Sequence, residues 1–528
     1  MINLPKRETK LMVAVHGWSG IVLGLLLYAV IVTGTAAVFA DEIGTWSAGH
    51  LETRSAFQRP IAGTVAELGK RTPAKFREDV DLFEVGDHHL GAFFHHHETD
   101  ADGQIVSRGI FYEAGQDGRV VSTFAGTGEE VFGARNDNAL EHFLVDTHVR
   151  LHVPNPWGLI LTGVLGLTMM VAAISGVLIH RHLFKDIFTL RRGANRVLVD
   201  RDRHSVAGTW SLPFAFILAF TGSFFSFFGT VGVPIVAMAA FGGDVEALNE
   251  RVFGDPGQPD PRPAAPAGLD RAMADAIGRS GEIPTFAIIE HFGRADAKIT
   301  TFHPPQSGGL APISFSYQGV SGEFDREKPL IGTRPSAGGT LTGIMSPLHF
   351  GNFAGLLSKA VWFALGFAMS YVSYTGLRLW LARREGERGS LRWLARGVTV
   401  VGLGLPLALL CSAAAFFVTM PMGTAMFWTP ATFLTASAAV ILAGLGWRSE
   451  EGFGQFLIAT MGVMALALPP IRLLTGGPGW GTAWAAGQPI IIALDAACLV
   501  AGIWMLVERI GGRARRTAPP LPAMQPAE

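Results

Sequence analysis

Long apolar runs constrain this chain more than any other feature. Each is close to or above the roughly 20 residues that a helix needs to cross the hydrocarbon core of a bilayer. Only 16% of the 528 residues are charged, where a soluble protein would have roughly a quarter. The sequence therefore predicts a polytopic α-helical membrane protein. We place eight spans at about 11–39, 157–179, 205–239, 354–381, 398–420, 428–447, 453–470 and 489–507.

Basic residues predict how these spans are oriented. Clusters of Lys and Arg precede span one, fill the segment between spans two and three, lie between spans four and five, and follow span eight. All of these segments fall on one side, which the positive-inside rule assigns to the cytoplasm. Both termini are therefore predicted to be cytoplasmic. The first apolar run is longer than a signal peptide requires, so we expect it to remain as a span.

The remaining segments divide the chain into domains. Segments 40–156 and 240–353 lie on the outer side, and each contains a helical pattern followed by β-rich runs. These runs are "HHLGAFFHHHETDADGQIVSRGIFYEAGQDGRVVSTF" in the first segment and "TFAIIEHF", "AKITTFH" and "ISFSYQG" in the second. This predicts two small α+β modules of related design. The other predicted units are 1–39 with span one, 157–239 with spans two and three, 354–385 with span four, 386–510 with accessory spans five to eight, and a disordered cytoplasmic tail at 511–528.

Histidines mark the ends of the first four spans and are absent from the last four. Those placed at the inner face are His16, His180, His182 and His204; those at the mouths of spans two and four are His142, His148, His152 and His349. A single histidine at such a depth is more often an interfacial anchor than a ligand. Two clusters, one in each leaflet, predict two binding sites.

Neutral imidazole binds zinc, copper and haem iron. Zinc or copper sites would recruit carboxylates or thiolates, which are almost absent within the spans, and the two cysteines, Cys411 and Cys498, lie in apolar runs. Haem needs one or two axial histidines and small residues that admit a flat macrocycle. Gly17, Gly20 and Gly208 supply such residues. Two b-type haems are therefore predicted, held without covalent attachment because the chain has no CxxCH.

Several of these segments resemble a known family. "VAVHGWSGIVLGLLLYAVIVTGTAAVF", "THVRLHVPNPWGLILTGVLGL", "ISGVLIHRHLFKDIFTLRR", "DRHSVAGTWSLPFAFILAFTGSF" and "LHFGNFAGLLSKAVWFALGFAMSYVSYTGLRLWLARR" are similar to the bacterial PepSY-associated transmembrane family. The likeness covers roughly residues 10–385. It implies a four-helix di-haem core with PepSY-like modules outside it, in the bacterial inner membrane. Members include inner-membrane ferric-siderophore reductases, while others are known only as iron-regulated membrane proteins.

The resemblance also implies which histidines bind haem. His16, His148, His180, His204 and His349 fall on its motif positions, although two haems offer at most four axial positions. His148 and His349 form the expected outer pair, and His152 is the alternative to His148. Pro154 and Pro156 favour a helix start after residue 152, which would leave His148 before the helix. On the inner side His16 and His204 are favoured, and His180 could instead contact a haem propionate. Arg181, Arg191, Arg192 and Arg203 could do the same, or could reflect only the positive-inside rule.

Two further features carry competing interpretations. In "DHHLGAFFHHHE", strand alternation sends His95 and His97 to one face and His96 to the other, so His88, His89 and these three cannot all bind one metal. A solvated strand is the favoured interpretation, with weak metal or substrate contact as the alternative. Asp495 in span eight is either a functional ionisable group or a hydrated one near the outer surface.

These observations predict an oxidoreductase that passes electrons from a cytoplasmic donor to a periplasmic ferric siderophore or other ferric chelate, and so releases Fe(II). No flavin or dinucleotide motif occurs, so the donor must be another molecule. Membrane lipid is an expected partner and nucleic acid is not. The alternatives are a transporter of haem or a metal ion, and a periplasmic binding module without redox chemistry.

Overall fold

The computed structural model describes residues 5–99, 105–179, 188, 196–253, 259–306, 309–332, 334–384 and 388–517. Seven helices in this part of the chain are long and apolar enough to cross a membrane, and a bent pair of helices near the N-terminus forms an eighth candidate span. The prediction of a multi-pass helical membrane protein is confirmed. The predicted tail overlaps the last helix as far as Thr517, and residues 518–528 lie outside the described part.

The chain up to residue 179 forms a first half with spans at both ends and a β-sheet segment between them. In chain order it contains α1 (Lys6–Val22), α2 (Gly24–Ala37), α3 (Ala40–Ala48), α4 (Ala62–Arg71), β1 (Asp79–Val85), β2 (His89–Thr99), β3 (Ile105–Ala114), β4 (Val120–Thr127), α5 (Gly128–Val131), α6 (Ala139–Arg150) and α7 (Trp157–Ile179).

The second half repeats this plan between residues 196 and 382. It contains α8 (Arg196–Phe227), a π-helical turn at Phe228–Gly232, α9 (Val233–Phe241), α10 (Val245–Phe253), α11 (Leu269–Ser280), β5 (Phe286–Glu290), β6 (Lys298–His303), β7 (Ile313–Gln318), β8 (Phe324–Lys328), α12 (Ala337–Phe350) and α13 (Gly355–Ala382). In each half a short helix, α6 or α12, precedes the returning span. We call the face of the membrane helices that bears the strands the sheet side, and the opposite face the terminal side.

The first predicted span, 11–39, is two helices rather than one. α1 and α2 meet at Leu23 with a bend of 67°. α2 packs closely on α13 at this point, because a Cβ added to Gly24 would lie 3.0 Å from Leu377 Cδ2. Glycine at position 24 therefore leaves room for the contact with α13 beside the bend. Neither α1 nor α2 contains a proline that would cause the bend.

The strands of both halves form one antiparallel sheet, ordered β4-β3-β2-β1-β5-β6-β7-β8. The halves join where β1 pairs with β5, with Val80 opposite Ile289 and Phe83 opposite Phe286. The sequence predicts two separate modules, whereas the structure has one sheet with an approximate two-fold axis between its central strands. Joining the sheets in this way pairs two edges that would otherwise be exposed.

The two faces of the sheet are buried differently. α4 and α11 cover one face, and Asp270 of α11 accepts hydrogen bonds from the backbone N–H groups of Ile61 and Ala62, 2.7 and 2.9 Å away, at the start of α4. The second half thus caps a helix of the first. The other face carries a smaller aromatic core formed by Phe83, Phe93, Phe111 and Phe286 with Val85 and Val131.

The accessory spans are α14 (Arg388–Thr419), α15 (Ala425–Gly446), α16 (Glu450–Leu474) and α18 (Pro489–Thr517), with the short α17 (Trp480–Ala485) between the last two. Their sheet-side ends form one buried core with α3 and α6, including Trp46, Leu140, Phe143, Phe416, Phe433 and Leu468. The loop between spans seven and eight contains α17.

Asp495 is buried and fully paired, which excludes the hydrated one of its two interpretations. Arg472 of α16 donates to it from Nη2 at 2.6 Å and from Nε at 3.2 Å. The indole N–H groups of Trp46 and Trp480 also donate to its two oxygens, each at 2.8 Å. We call Arg472, Asp495, Trp46 and Trp480 the clasp, because they fasten α3 to the accessory spans.

Candidate functional site

Two histidines meet on the sheet side of the four-span core. His148 lies on α6 and His349 on α12, the two short helices that precede the returning spans. Their ring centroids are 6.1 Å apart and the ring planes differ by 27°. The helix α7 begins after Pro156, as the prolines predict, but His148 is in a helix of its own rather than in an irregular segment.

A second pair lies on the terminal side. His16 is on α1 and His204 on α8, so each comes from the first span of its half. Their ring centroids are 6.4 Å apart, with the planes 76° apart. Two imidazoles bound on opposite sides of one metal ion, each at about 2 Å, have ring centroids about 6 Å apart. Both pairs have this spacing.

Each of the four rings is held through Nδ1 by the neighbouring span of its own half. Nδ1 of His16 lies 3.0 Å from the carbonyl oxygen of Ala172, that of His148 3.0 Å from Val30, and that of His204 3.0 Å from Val372. His349 is held instead by Thr221, whose Oγ1 lies 2.9 Å from Nδ1. Metal-binding histidines almost always use their second nitrogen in this way. Nε2 is therefore the nitrogen through which each ring would bind a metal.

A glycine accompanies each of these contacts. A Cβ added at the glycine would lie near the Cε1 atom of the ring, and the distances are 2.6 Å for Gly34 and His148, 3.4 Å for Gly176 and His16, 3.1 Å for Gly222 and His349, and 3.0 Å for Gly376 and His204. We call these four positions the cradle glycines. A larger residue at Gly34, Gly222 or Gly376 would push the ring away from its partner, whereas a Cβ at Gly176 would only touch the His16 ring.

The cradle glycines share a sequence signal that the histidine pattern alone did not reveal. A hydroxyl residue precedes every one of them: Thr33, Ser175, Thr221 and Thr375. Three of these hydroxyls also lie within 3.4 Å of the histidine Nδ1, those of Ser175, Thr221 and Thr375. Gly34 follows His16 by 18 positions, and Gly222 follows His204 by the same number. This equal spacing of a histidine and a Ser-Gly or Thr-Gly pair would have indicated that the two halves of the chain repeat.

The terminal-side pair opens into a cavity of about 1060 Å³. This is at the upper end of the roughly 300–1,000 Å³ found for cofactor and ligand sites. Its wall includes Met169, Leu27 and Trp380 as apolar surface, and small residues widen it between the helices. Four basic residues also line it, namely Lys10, Arg201, Arg383 and Arg384.

The sheet-side pair is enclosed by aromatic side chains. The His349 ring lies 5.6 Å from the ring of Phe225 and 5.5 Å from that of Phe350, measured between centroids. Burial lowers the pKa of His349 to about 3 and also lowers the pKa of His148. Both rings are therefore neutral at physiological pH, the protonation state in which imidazole binds metals.

The other predicted site residues are placed differently. His152 does not face His349: its Nε2 lies 3.1 Å from Thr147 Oγ1 and its ring packs between Phe143 and Phe433. Arg203 lies 3.8 Å from Asp200, with more than half of its side chain exposed. His180, Arg181, Arg191 and Arg192 lie outside the described residues, so His180 stays a prediction.

The histidines of the sheet are not a solvated row. His88 and His89 each pair with a carboxylate, Glu84 at 2.9 Å and Glu113 at 2.7 Å. His95 is only 4% exposed, so the solvated-strand interpretation is wrong for this residue. As alternation predicts, His95 and His97 share one face, where their centroids are 5.3 Å apart, while the ring of His96 lies against Phe76.

Comparison with known proteins agrees with this architecture. An uncharacterized protein of Pseudomonas aeruginosa, PA4219, is 26% identical over 406 residues, which cover 71% of this chain and 96% of the relative. The sequence profile of the PepSY-associated TM region matches residues 13–383, which span both halves of the repeat, both histidine pairs and the whole sheet. The suspected resemblance is thereby confirmed, and the chain belongs to the family of the PepSY-associated TM region.

Proposed function

We propose that this protein is a haem-containing reductase that carries electrons across the bacterial inner membrane to a periplasmic ferric chelate such as a ferric siderophore. On this proposal the terminal side is cytoplasmic and the sheet side is periplasmic. The single observation that carries it is the presence of one histidine pair at each end of the four-span core, with ring centroids 6.4 and 6.1 Å apart.

The residues around each pair fit haem. The donor set would be two imidazoles with Nδ1 already engaged, which suits haem iron. The cradle glycines keep the rings at the required separation, since a Cβ at Gly34 would approach His148 Cε1 to 2.6 Å. The terminal-side cavity adds an apolar wall for a macrocycle and basic groups such as Arg383 and Arg384 for its propionates.

The protein's own part is to hold the two sites of the electron path at different depths in the membrane. When bound, haem would supply an iron that gains and loses one electron at a time. His204 and Thr221, which holds His349, are 17 positions apart on α8, or about 26 Å of helix. Sites at these two depths lie near opposite faces of a hydrocarbon core of about 30 Å. Each ferric chelate would take up one electron at the sheet side, becoming Fe(II), which binds hard oxygen donors more weakly.

Spectroscopy of the purified full-length protein tests this proposal. We expect two b-type haems per chain by pyridine haemochrome assay, released by acidified solvent because neither cysteine can attach them. The reduced minus oxidised spectrum should have the sharp bands of low-spin haem with two histidine ligands. A haem content of one or none would contradict the proposal, and a colourless, fully folded protein would favour a binding module without redox chemistry.

A further inference from the structure

The sheet carries a second cluster of potential metal ligands, distant in sequence from the histidine pairs. Asp79 on β1 is directly opposite His95 on β2, and His97 follows two positions later on the same face. One ligand atom from each of Asp79, His95 and His97 lies within 4.8 Å of the other two. Bound to a tetrahedral metal, such atoms would be about 3.4 Å apart, so the ligands would have to approach one another by up to about 1.4 Å.

His95 is the residue that most needs a partner. Among the described residues, neither of its ring nitrogens has a hydrogen-bond partner, and both are closed to solvent. Asp81 Oδ2 is 3.3 Å from Nε2, within reach for an ion pair but without the alignment of a hydrogen bond. An unsatisfied buried polar group costs roughly 1–3 kcal/mol. A cation between His95 and the neighbouring carboxylates would remove this cost.

The surroundings orient the other ligands towards the same point. Ser107 of β3 lies 3.3 Å from His97 Nδ1, and His97 Nε2 lies 3.6 Å from Asp79 Oδ2. The residue opposite His95 on β3 is Gly109, so this strand places no side chain beside the buried ring. Phe93 stacks on His95 at 4.8 Å between centroids and forms its apolar support.

We propose that Asp79, His95 and His97 form a binding site for a divalent first-row transition metal ion on the sheet. Two imidazoles and one carboxylate suit borderline ions such as Fe(II) and Zn(II) and leave positions open for water or a further ligand. The adjacent carboxylate of Asp81 would neutralise the second positive charge of the divalent ion. The identity of its natural cation rests on the proposed function: in a ferric-chelate reductase the ion released on this side is Fe(II).

Equilibrium dialysis of the full-length, haem-loaded protein against Zn(II) tests the site, because zinc is counted without interference from haem iron. We expect one zinc ion per chain that depends on these ligands. Asp79→Asn, which preserves shape, and His95→Ala should each weaken zinc binding at least tenfold. His96→Ala is the matched control, since its ring lies on the opposite face against Phe76 and should leave binding unchanged.

Haem content and thermal unfolding of each variant, measured on the same samples, establish that it is folded and keep this test separate from that of the reductase. If His95→Ala does not fold, Asp79→Asn decides alone. The site is excluded if the wild-type protein binds no zinc, or if Asp79→Asn binds it as tightly as wild type. Loss of haem in the wild-type preparation with retained zinc binding would count against the reductase and leave the metal site standing.

Discussion

The four paired histidines share one local environment, built from a carbonyl or hydroxyl partner for Nδ1 and a glycine beneath Cε1. On the proposed function the histidine would supply a ligand, while the neighbouring span holds its Nδ1 and so its ring orientation. Such positioning is what distinguishes a ligand from an interfacial anchor, which needs no fixed ring nitrogen. The glycines are therefore as informative as the histidines.

Enlarging a cradle glycine should empty one site and spare the other. Gly34→Val places methyl groups where the His148 ring lies, and Gly376→Val does the same at His204. We expect the first to lose the sheet-side haem and the second the terminal-side haem, so that each retains about half of the wild-type haem in the pyridine haemochrome assay.

Gly446→Val is the control for these two variants, because a Cβ there meets nothing within 4 Å. It should keep both haems. If Gly34→Val and Gly376→Val also bind two haems, the contacts with the cradle glycines do not position the ligands and the argument from them is wrong.

At the scale of elements, the accessory spans support the sheet-side site. α6, which carries His148, packs into the same core as α14 to α16, and α3 is tied to this core through the clasp. The family profile ends at residue 383, before these spans begin. Their contacts indicate that they brace the helix that carries His148.

Removing the charge of Asp495 should destabilise this arrangement strongly. Asp495→Asn leaves the Arg472 guanidinium, which is 1% exposed, without a counter-charge. Breaking a buried pair in this way costs about 3–5 kcal/mol. Thermal unfolding in detergent should show a clear fall in Tm, whereas Arg448→Met at an exposed position should change it little. An unchanged Tm for Asp495→Asn would mean that the clasp is not a stabilising contact.

What the sequence could predict depended on how local each feature is. Spans and strands are local, so apolar length and alternation placed α7, α13 and β5 to β7 within a few residues. Pairing between segments is not local, and nothing in the sequence indicated that β1 would join β5 across about 200 residues. The clasp was missed for the same reason, since Arg472 and Trp46 meet Asp495 only in the folded chain.

In the whole molecule, both candidate sites lie between the halves of the repeat. His16 and His148 come from the first half, and each is oriented by a span of that half; His204 and His349 come from the second half in the same manner. Neither half contains a complete pair. The eight-stranded sheet also joins the halves at its centre, so the two halves pair both in the sheet and at the histidines.

If the two sites form one electron path, losing either should stop the whole current. His349→Ala would remove one proposed haem ligand at the sheet side and His204→Ala one at the terminal side, so each variant should retain about half the haem. The measurement uses full-length protein in liposomes that enclose dithionite, with ferric citrate outside and ferrozine to detect Fe(II). Wild-type protein should reduce external iron well above empty liposomes, and each variant should fall to the empty-liposome rate.

His96→Ala should match the wild-type rate and haem content, because His96 is in the sheet, where its ring lies against Phe76. Reporter fusions after Asp100 and near Gly268 should be periplasmic and one after Gly193 cytoplasmic, which fixes the direction of electron flow. The opposite result would reverse the direction of electron flow.

Full haem and full reduction in His204→Ala would show that His16 pairs with His180 instead. Loss of haem in both ligand variants with undiminished reduction would mean that electrons do not pass through these sites, and a transport or binding role would then explain the chain better.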